Sequence, residues 1–375
     1  MTSKVNSLYI HFPVCRHLCN YCDFYKVKSD PDKIELSEYH HYLEECLVKQ
    51  QELFQSVGAE FAPLETLYIG GGTPSLWGKK GSEFLARTLE QFQIPKDPNC
   101  EFTLELNPGS WDEVGVESWK SIGCNRLSIG IQSFNSEFLK VINRVHSLEE
   151  SKSTLEYFHQ NDWNFSVDIM LGLPFSKSLN RDVISEIKQI MMYGPKHFSV
   201  YILTVGSGYE HFSDLPEESY TCDEYVRVSN FLKDSGFNHY EVSNFSLPGY
   251  ESLHNKKYWA SESVGAVGPS ATGFVRSESD GKAVRYKWKV SEPAYTPEYL
   301  GPKTLKFESL YLGLRTDIGI SLEDYFPPNL QKEVLEKSKF WVESDLAYHN
   351  SGRLRLTSAG YLVMDEIVTR LATYL

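Results

Sequence analysis

Three cysteines stand close together near the beginning of the chain, within the segment YIHFPVCRHLCNYCDF. They are Cys15, Cys19 and Cys22, in the spacing C-x3-C-x2-C, and no fourth cysteine is near them in the sequence. Cysteine thiolates are the usual ligands of [4Fe–4S] clusters, so three of them can hold three irons of one cube. The fourth iron would lack a protein ligand and stay open to a small molecule. The spacing therefore predicts a cluster with one chemically accessible iron.

A structural zinc site is the main alternative for these cysteines. Zinc is normally held by four ligands, and His11 or His17 can supply the fourth. A disulfide framework is disfavoured, because the chain has an odd number of cysteines, seven, and begins without a secretory signal. The remaining cysteines are scattered and are interpreted as small buried hydrophobic residues: Cys46, Cys100, Cys124 and Cys222.

Length and composition indicate a soluble globular protein. The 375 residues suffice for one large domain or two moderate ones, with 41% hydrophobic and 23% charged residues. No apolar run approaches the roughly 18 residues of a membrane span, so no span is expected, and a peripheral membrane contact is left open. The net charge of -13 argues against nucleic acid as a partner. We expect a cytoplasmic protein, where reduced thiols suit an iron–sulfur site.

Short apolar runs and longer amphipathic stretches alternate through the first two thirds of the chain. The candidate strands are Leu8–Phe12, Thr66–Ile69, Phe102–Leu106, Arg126–Ile131, Phe165–Met170 and His197–Ile202. The candidate helices between them include Leu36–Ser56, Glu83–Phe92 and Val183–Met192. This alternation predicts an α/β fold with parallel strands and crossover helices. Six such units favour a partial (β/α)6 barrel of the TIM type, with a doubly wound open sheet as the alternative.

Polar and glycine residues recur where a predicted strand meets its following loop. In chain order these are Cys15, the run from Gly70 to Pro74, Glu105 with Asn107, Gln132 with Ser133, and Asp168. Turn chemistry alone can explain any one of these positions. Five successive strand ends of this kind are better explained by a site at the carboxyl ends of the barrel strands.

The pattern changes after about residue 240. We predict a barrel over residues 1–240, a connecting region over 241–300 and a C-terminal domain over 301–375. His254–Trp259 and Gly265–Phe274 are predicted to form an ordered loop region rich in glycine and aromatic residues.

The C-terminal domain is predicted to be winged-helix-like. Helices are expected from Leu305 and at Leu330–Phe340, then a hairpin whose turn contains Ser351-Gly352, then a last helix, Ser358–Leu375. Its acidic and basic residues are nearly balanced, so we interpret it as a lid or packing domain rather than a DNA-binding domain.

These residues resemble those of radical S-adenosylmethionine (SAM) proteins. The cysteine motif is followed in order by IGGGTPS, ELNPGS, NRLSIGIQSFN, NRVH, DIMLGLP and HNKKYW. Together the strings resemble the coproporphyrinogen-oxidase-like branch and, within it, a family of haem chaperones. The match runs from Leu8 to about Trp259 and is weaker beyond, where the C-terminal domain resembles that of the oxidases.

The resemblance implies a SAM molecule on the open iron, bound through its amino group and carboxylate. A cluster reduced by an electron donor would then split SAM and form a 5′-deoxyadenosyl radical. The positions implied to face SAM are Tyr9, Tyr21, Gly71, Gly72, Thr73, Glu105, Gln132, Arg144 and Asp168. Glycines at 71 and 72 would let the backbone approach SAM closely. Glu105 would accept hydrogen bonds from its ribose hydroxyls or its amino group.

Haem is the second ligand that the resemblance implies. His254, in HNKKYW, is a candidate haem ligand because imidazole suits iron. A capping or core role for this histidine is equally open. Tyr258 and Trp259 either flank the porphyrin or simply pack, and His146, in NRVH, matches another histidine of the family.

Two departures from the oxidases favour the haem chaperones. The oxidases carry a further cysteine two positions after the third, where this chain has Phe24, and only eight residues precede Tyr9. The chain also departs from the chaperones, because their glycine-alanine-histidine reads Ser270-Ala271-Thr272.

We therefore predict a protein that binds haem, one [4Fe–4S] cluster and SAM, and passes haem to an acceptor that the sequence does not identify. The alternative is an oxygen-independent coproporphyrinogen III oxidase-like radical enzyme of porphyrin metabolism. Whether the protein is an enzyme is left open at this point. If it is one, the resemblance implies an oxidoreductase of the coproporphyrinogen dehydrogenase type.

Overall fold

The computed structural model describes residues 2–29, 36–277 and 281–375. The short stretch 278–280, inside the predicted connecting region, lies outside the described residues. The strands are β1 (Ser3–Phe12), β2 (Val14–Cys15), β3 (Val27–Lys28), β4 (Ala59–Gly71), β5 (Lys96–Leu106), β6 (Arg126–Gln132), β7 (Asn164–Leu171), β8 (His197–Ile202), β9 (Asn238–Glu241), β10 (Asn244–Ser246), β11 (Gly265–Val267), β12 (Thr272–Arg276), β13 (Ala283–Trp288), β14 (Tyr295–Leu300), β15 (Ile320–Ser321), β16 (Ala347–Asn350) and β17 (Arg353–Leu356).

Helices cover the strands of the larger sheet and build much of the C-terminal region. The α-helices are α1 (Ser37–Ser56), α2 (Gly78–Gln91), α3 (Glu113–Ser121), α4 (Ser136–Val141), α5 (Leu148–Gln160), α6 (Val183–Met191), α7 (Glu218–Asp234), α8 (Leu253–Trp259), α9 (Pro302–Leu314), α10 (Leu322–Tyr325), α11 (Pro328–Glu343), α12 (Ser358–Leu362) and α13 (Met364–Ala372). A short 3-10 helix, Pro74–Trp77, leads directly into α2, which is why that helix begins five residues before the predicted Glu83.

The main sheet has nine strands in the order β11-β1-β4-β5-β6-β7-β8-β10-β9. The six predicted strands are all present and lie parallel, each beside the next one along the chain. A doubly wound sheet would instead reverse its strand order at a switch point. The predicted partial barrel is therefore confirmed. It is wider than predicted, because β11 adds in parallel beside β1 and β10 adds in antiparallel beside β8.

Alternation along the strands divides the barrel into an apolar outside and a polar inside. On β6, for example, Leu127, Ile129 and Ile131 are fully buried in the core beneath the helices. The positions between them include Ser128 and Gln132, which face the barrel interior. The interior of a closed TIM barrel is normally filled by bulky apolar side chains. A polar interior indicates that part of this space is kept for a ligand.

The prediction of an ordered loop region after residue 250 is wrong in detail. His254–Trp259 lies in helix α8. Ser252 caps the start of this helix, because its side-chain oxygen accepts a hydrogen bond from the backbone nitrogen of Asn255. Gly265–Phe274 contains strand β11 and most of β12. Strands β12, β13 and β14 form an antiparallel sheet that the sequence analysis did not predict.

The C-terminal region has its own apolar core, with Leu310, Ile320, Leu354 and Ile367 almost fully buried. The predicted hairpin is confirmed as β16 and β17, joined to β15 in a small antiparallel sheet. The predicted last helix is broken at Val363 into α12 and α13. In the described part of the chain, no helix combines the length and the apolar character that crossing a membrane requires. The division near residues 240 and 300 stays a prediction.

Candidate functional site

The cysteine loop follows β1 and is held against the loop that follows β4. Cys15 ends the short strand β2 and is buried, whereas Cys19 and Cys22 are half-buried. The Thr73 hydroxyl donates a hydrogen bond to the Cys15 sulfur at 3.5 Å. Burial raises the pKa of Cys15, and the Thr73 hydrogen bond opposes that effect only in part. A bare thiolate is therefore disfavoured at this position, and a bound cation would stabilise it.

The donor set fits an iron–sulfur cube better than a single zinc ion. Among the described residues, no three Cys, His, Asp or Glu side chains are gathered as ligands of one ion. His11, a proposed fourth zinc ligand, already uses both ring nitrogens, with the Tyr9 hydroxyl at 3.1 Å and the Tyr25 carbonyl oxygen at 2.9 Å. A [4Fe–4S] cube takes its thiolates on separate irons. Three thiols spread along one loop suit that arrangement.

Arg144 ties the cysteine loop to the carboxyl ends of the barrel strands. One terminal nitrogen of its guanidinium lies 3.8 Å from the Cys19 sulfur and 3.3 Å from the Tyr21 hydroxyl oxygen. The other donates to the Asn107 side-chain oxygen at 2.6 Å and to the Gly130 carbonyl at 2.7 Å. The planar fork of arginine is suited to such simultaneous contacts. Arg144 therefore fixes the cysteine loop over the barrel mouth and places positive charge beside a cluster cysteine.

Asn107 completes a continuous chain of contacts between two of the cysteines. Its amide nitrogen donates to the Thr73 hydroxyl oxygen at 3.1 Å, and Thr73 in turn donates to Cys15. Cys15 is thus linked through Thr73, Asn107 and Arg144 to Cys19. Asn107 was predicted to lie at a strand end but was not among the predicted site residues. Its position in ELNPGS, two residues after Glu105, was the available signal.

Glycines 71 and 72 allow a close approach between the two loops. A Cβ atom on Gly72 would lie 2.7 Å from the Val14 carbonyl oxygen. Gly71 has a φ of +116°, and a Cβ atom there would lie 2.6 Å from the His11 ring. The backbone nitrogen of Gly72 donates to the Phe12 carbonyl at 2.7 Å. The contact that the structure shows for these glycines is with the start of the cysteine loop, and their contact with SAM stays a prediction.

Glu105 and Asp168 are inward-facing acids with perturbed ionisation. Glu105 accepts hydrogen bonds from the Tyr68 hydroxyl and the Gly71 backbone, each at 2.9 Å. Burial nevertheless raises the pKa of Glu105 to about 7. Burial also raises the pKa of Asp168 to about 6, although Ser128 donates a hydrogen bond to it at 3.3 Å. Both carboxyl groups can therefore change their protonation state near neutrality, as is common at binding sites.

An accessible chamber runs down the barrel. Tyr68, Glu105 and Asp168 remain partly exposed, although the neighbours of each along its strand are buried. Tyr201 of β8 is 44% exposed, and desolvation and the charge of Asp168 raise its pKa. Gln132 ends β6 in a left-handed backbone conformation, with a φ of 68°, next to a bulge in the pairing with β7. Such a bulge redirects a side chain at a barrel rim.

His254 packs against the ring of Tyr68, whose hydroxyl contacts Glu105. Its Nδ1 lies 2.8 Å from the Thr66 hydroxyl oxygen, and its ring stacks on Tyr68 with centroids 5.1 Å apart. Its Nε2 is buried and has no hydrogen-bond partner within the described ranges. Burial lowers the pKa of His254 to about 3, so the ring is neutral. Tyr258 packs edge-on against it, with centroids 5.3 Å apart.

The structure thus brings several of the predicted site residues together in two groups. Cys15, Thr73, Arg144, Cys19 and Tyr21 belong to the network at the barrel mouth. His254 lies with Tyr9 and Tyr68 deeper in the barrel.

Three further positions that the sequence singled out, Trp259, His146 and Phe24, are in different surroundings. Trp259 lies against Arg315 of the C-terminal region, whose guanidinium carbon is 4.7 Å from the ring centroid. His146 is buried, and its pKa is lowered to about 3 by burial and by the charge of Arg144. Phe24 is 70% exposed beside the cysteines.

Comparisons with known proteins agree with this geometry. A model of the radical SAM superfamily matches residues 9–182. The haem chaperone HemW of Lactococcus lactis is 31% identical over 382 residues, covering 98% of this chain and 97% of that protein. The mouse mitochondrial radical S-adenosyl methionine domain-containing protein 1 is also 31% identical, over 97% of this chain and 87% of its own length. The solved structure of Escherichia coli coproporphyrinogen III oxidase, a radical SAM enzyme, overlaps all of this chain and 91% of its own, with a TM-score of 0.79. At 19% identity, that likeness shows the fold.

Proposed function

Because the chain belongs to the HemW family of haem chaperones, within the radical SAM superfamily, we propose that it binds haem and passes it to an acceptor protein. The observation that carries the proposal is the identity of 31% to a HemW protein over 98% of this chain. That span includes the connecting region and the C-terminal region as well as the barrel. The acceptor, an electron donor for the cluster and a cytoplasmic location are further parts of the proposal.

We assign the cluster to Cys15, Cys19 and Cys22. These three thiolates would hold the cluster, which, when bound and reduced, would supply one electron to a sulfonium. The chain's own residues hold the loop in place, since Arg144 contacts Cys19 and Thr73 contacts Cys15. The Lys26 ammonium donates to the Cys22 carbonyl and adds positive charge to the loop. At Cys15 the Thr73 hydrogen bond and the Lys26 charge oppose, in part, the rise in pKa that burial causes.

We assign SAM to the accessible chamber beside this loop. The residues proposed to contact it are Tyr9, Tyr21, Gly71, Gly72, Thr73, Glu105, Gln132, Arg144 and Asp168. Glu105 is oriented by Tyr68 and Gly71, so that its remaining lone pairs can accept from hydroxyl or ammonium groups. Its raised pKa places the change between accepting and donating forms near neutral pH.

His254 is our candidate for the haem ligand. A neutral imidazole is the form that binds iron, and the Thr66 contact leaves the Nε2 atom as the free ligand atom. The ring is 2% exposed, so haem binding requires the neighbouring side chains to move.

An anaerobic titration of the reconstituted protein with haem and SAM tests this function. We expect one Soret band that saturates with haem, iron–sulfur absorption that depends on Cys19, and weak or absent conversion of coproporphyrinogen III. His254→Ala should alter the Soret band, whereas His41→Ala, on the exposed face of α1, should leave it unchanged. An unchanged band in His254→Ala excludes this histidine as the axial ligand. An assay for 5′-deoxyadenosine in the same samples shows whether SAM is consumed.

The oxidase remains the competing function. If the purified protein converts coproporphyrinogen III to protoporphyrinogen IX with SAM and a reductant, it is an oxidase, and the proposed chaperone function is wrong. The exposed Phe24 disfavours that outcome, because it stands where the oxidases have a further cysteine.

A further inference from the structure

The floor of the barrel chamber contains a charged side chain, Arg126, for which the described residues supply no partner. Arg126 is the first residue of β6 and is 3% exposed. It shares the inward face of that strand with Ser128, whose hydroxyl contacts Ser166 and Asp168. Within the described ranges, the Arg126 guanidinium makes no hydrogen bond and no ion pair. Buried cations are normally paired, because an uncompensated charge in the interior is strongly destabilising.

Other unsatisfied polar groups surround the same floor. Thr103 is paired directly with Arg126 across β5 and β6, and its buried hydroxyl has no partner among the described residues. His197, which begins β8, is 1% exposed and uses one ring nitrogen for the Tyr240 hydroxyl at 2.8 Å. Its other ring nitrogen is buried without a partner in the described structure. Several unsatisfied groups in one place indicate a bound species rather than a packing accident.

None of the acidic residues that the structure describes pairs with Arg126. The positive charge of Arg126 acts to lower the pKa of Asp168, but the hydrogen bonds to that carboxyl come from serine hydroxyls. Glu101 accepts from the backbone nitrogens of Leu253 and His254 at the start of α8. The described residues therefore leave all the guanidinium donors of Arg126 unused. A planar fork of N–H donors matches a carboxylate.

We propose that Arg126, assisted by Thr103, binds a carboxylate of a ligand in the barrel chamber, and that this carboxylate is a propionate of haem. The inference rests on the haem binding proposed above. SAM also has a carboxylate, but we assign that group to the cluster end of the chamber. Arg126 begins β6 and Gln132 ends it, so the two ends are roughly 20 Å apart at about 3.3 Å per residue. Haem has two propionates on one edge, and neither is needed to bind iron.

The test compares haem with its dimethyl ester, in which both propionates are uncharged. For the wild-type protein we expect haem to bind more tightly than the ester by on the order of tenfold, as for a hydrogen bond to a charged group. Arg126→Gln should bind the two porphyrins equally, and Arg126→Lys should keep part of the preference. Arg87→Gln, on the outer face of α2, is the matched control and should behave as the wild type. The absorption of the reconstituted cluster and the thermal unfolding midpoint show whether each variant is folded.

The outcomes separate this inference from the function on which it rests. Equal binding of haem and ester by the wild type overturns the inference and leaves haem binding intact, without need of any variant. A preference that persists in Arg126→Gln also overturns it, because another residue then recognises the propionates. Absence of haem binding by the wild type overturns the proposed function itself. SAM and decarboxylated SAM are measured in parallel. If Arg126→Gln weakens only SAM, the carboxylate at Arg126 is that of SAM, and the haem assignment is overturned.

Discussion

Tyr68 donates its hydroxyl hydrogen to Glu105 at 2.9 Å. The ring of the same tyrosine stacks on His254, with centroids 5.1 Å apart. One side chain therefore touches a residue proposed for SAM and the residue proposed for haem. The proposed SAM site and the proposed haem site therefore share Tyr68, so we expect the protonation of Glu105 to affect the surroundings of His254.

The first prediction concerns the pH dependence of SAM binding. Burial raises the pKa of Glu105 to about 7, and the Tyr68 hydrogen bond opposes this rise. Tyr68→Phe removes that bond, so the pKa of Glu105 should rise further and less carboxylate should be ionised at neutral pH. We expect SAM affinity to fall several-fold near pH 7 and the midpoint of its pH dependence to move upward. Equilibrium dialysis at a series of pH values measures both quantities.

Two controls define the result for Tyr68→Phe. Tyr299→Phe changes a tyrosine that is 74% exposed on β14 and should leave the affinity unchanged. Glu105→Gln should flatten the pH dependence altogether, since it removes the titrating group. A midpoint that stays fixed in Tyr68→Phe would show that Glu105 does not govern SAM binding.

The second prediction concerns Arg144 and the stability of the cluster. Arg144→Lys keeps the charge but cannot contact Cys19, Tyr21 and Asn107 at once. We expect the variant to accept iron and sulfide but to lose them faster on exposure to air, because the cysteine loop is less firmly held. The decay of iron–sulfur absorption measures this loss. Arg87→Lys, on the solvent side of α2, is the matched control, and equal decay rates in the two variants would contradict the role given to Arg144.

The main architecture could be predicted because each barrel strand carries its own signal. On β6 the apolar residues Leu127, Ile129 and Ile131 alternate with small or polar ones, and the sequence analysis placed this strand to within one residue of its observed end. Helices such as α6 have an apolar face of sufficient length to be recognised. These patterns arise because the residues pack on one fixed side of a long element.

The short elements after residue 240 could not be predicted in the same way. Strand β11 has three residues and is stabilised by pairing with β1, from which it is separated by more than 250 positions. Helix α8 is held by the Glu101 carboxylate, which accepts from the backbone nitrogens of Leu253 and His254. Neither of these long-range contacts can be recognised from the periodicity of the local sequence. Asn107 was missed as a site residue for the same reason, since its partners Thr73 and Arg144 lie on other elements.

The third prediction concerns the close approach at Gly72. In Gly72→Ala the new Cβ atom would lie 2.7 Å from the Val14 carbonyl oxygen, so the two loops must separate. We expect a lower thermal unfolding midpoint and incomplete cluster assembly, measured by calorimetry and by iron content. Gly206→Ala is the matched control, because no atom lies within 4 Å of the Cβ position there. Full cluster content in Gly72→Ala would show that the loop spacing is not required.

The last prediction concerns the stability of the protein without its ligands. The pKa of Glu105 is raised from 4.5 to about 7 in the folded chain, so the folded state holds this proton more tightly than the unfolded state. The favourable contribution is therefore present below about pH 4.5 and is lost as the pH rises through about 7. Glu105→Gln removes this dependence while keeping a hydrogen-bond acceptor for Tyr68. As the pH rises from about 4.5 to about 7, we expect the unfolding free energy of the wild type to fall relative to that of the variant. Urea denaturation of the unliganded proteins at several pH values measures it, and a difference independent of pH would show that the carboxyl group titrates normally.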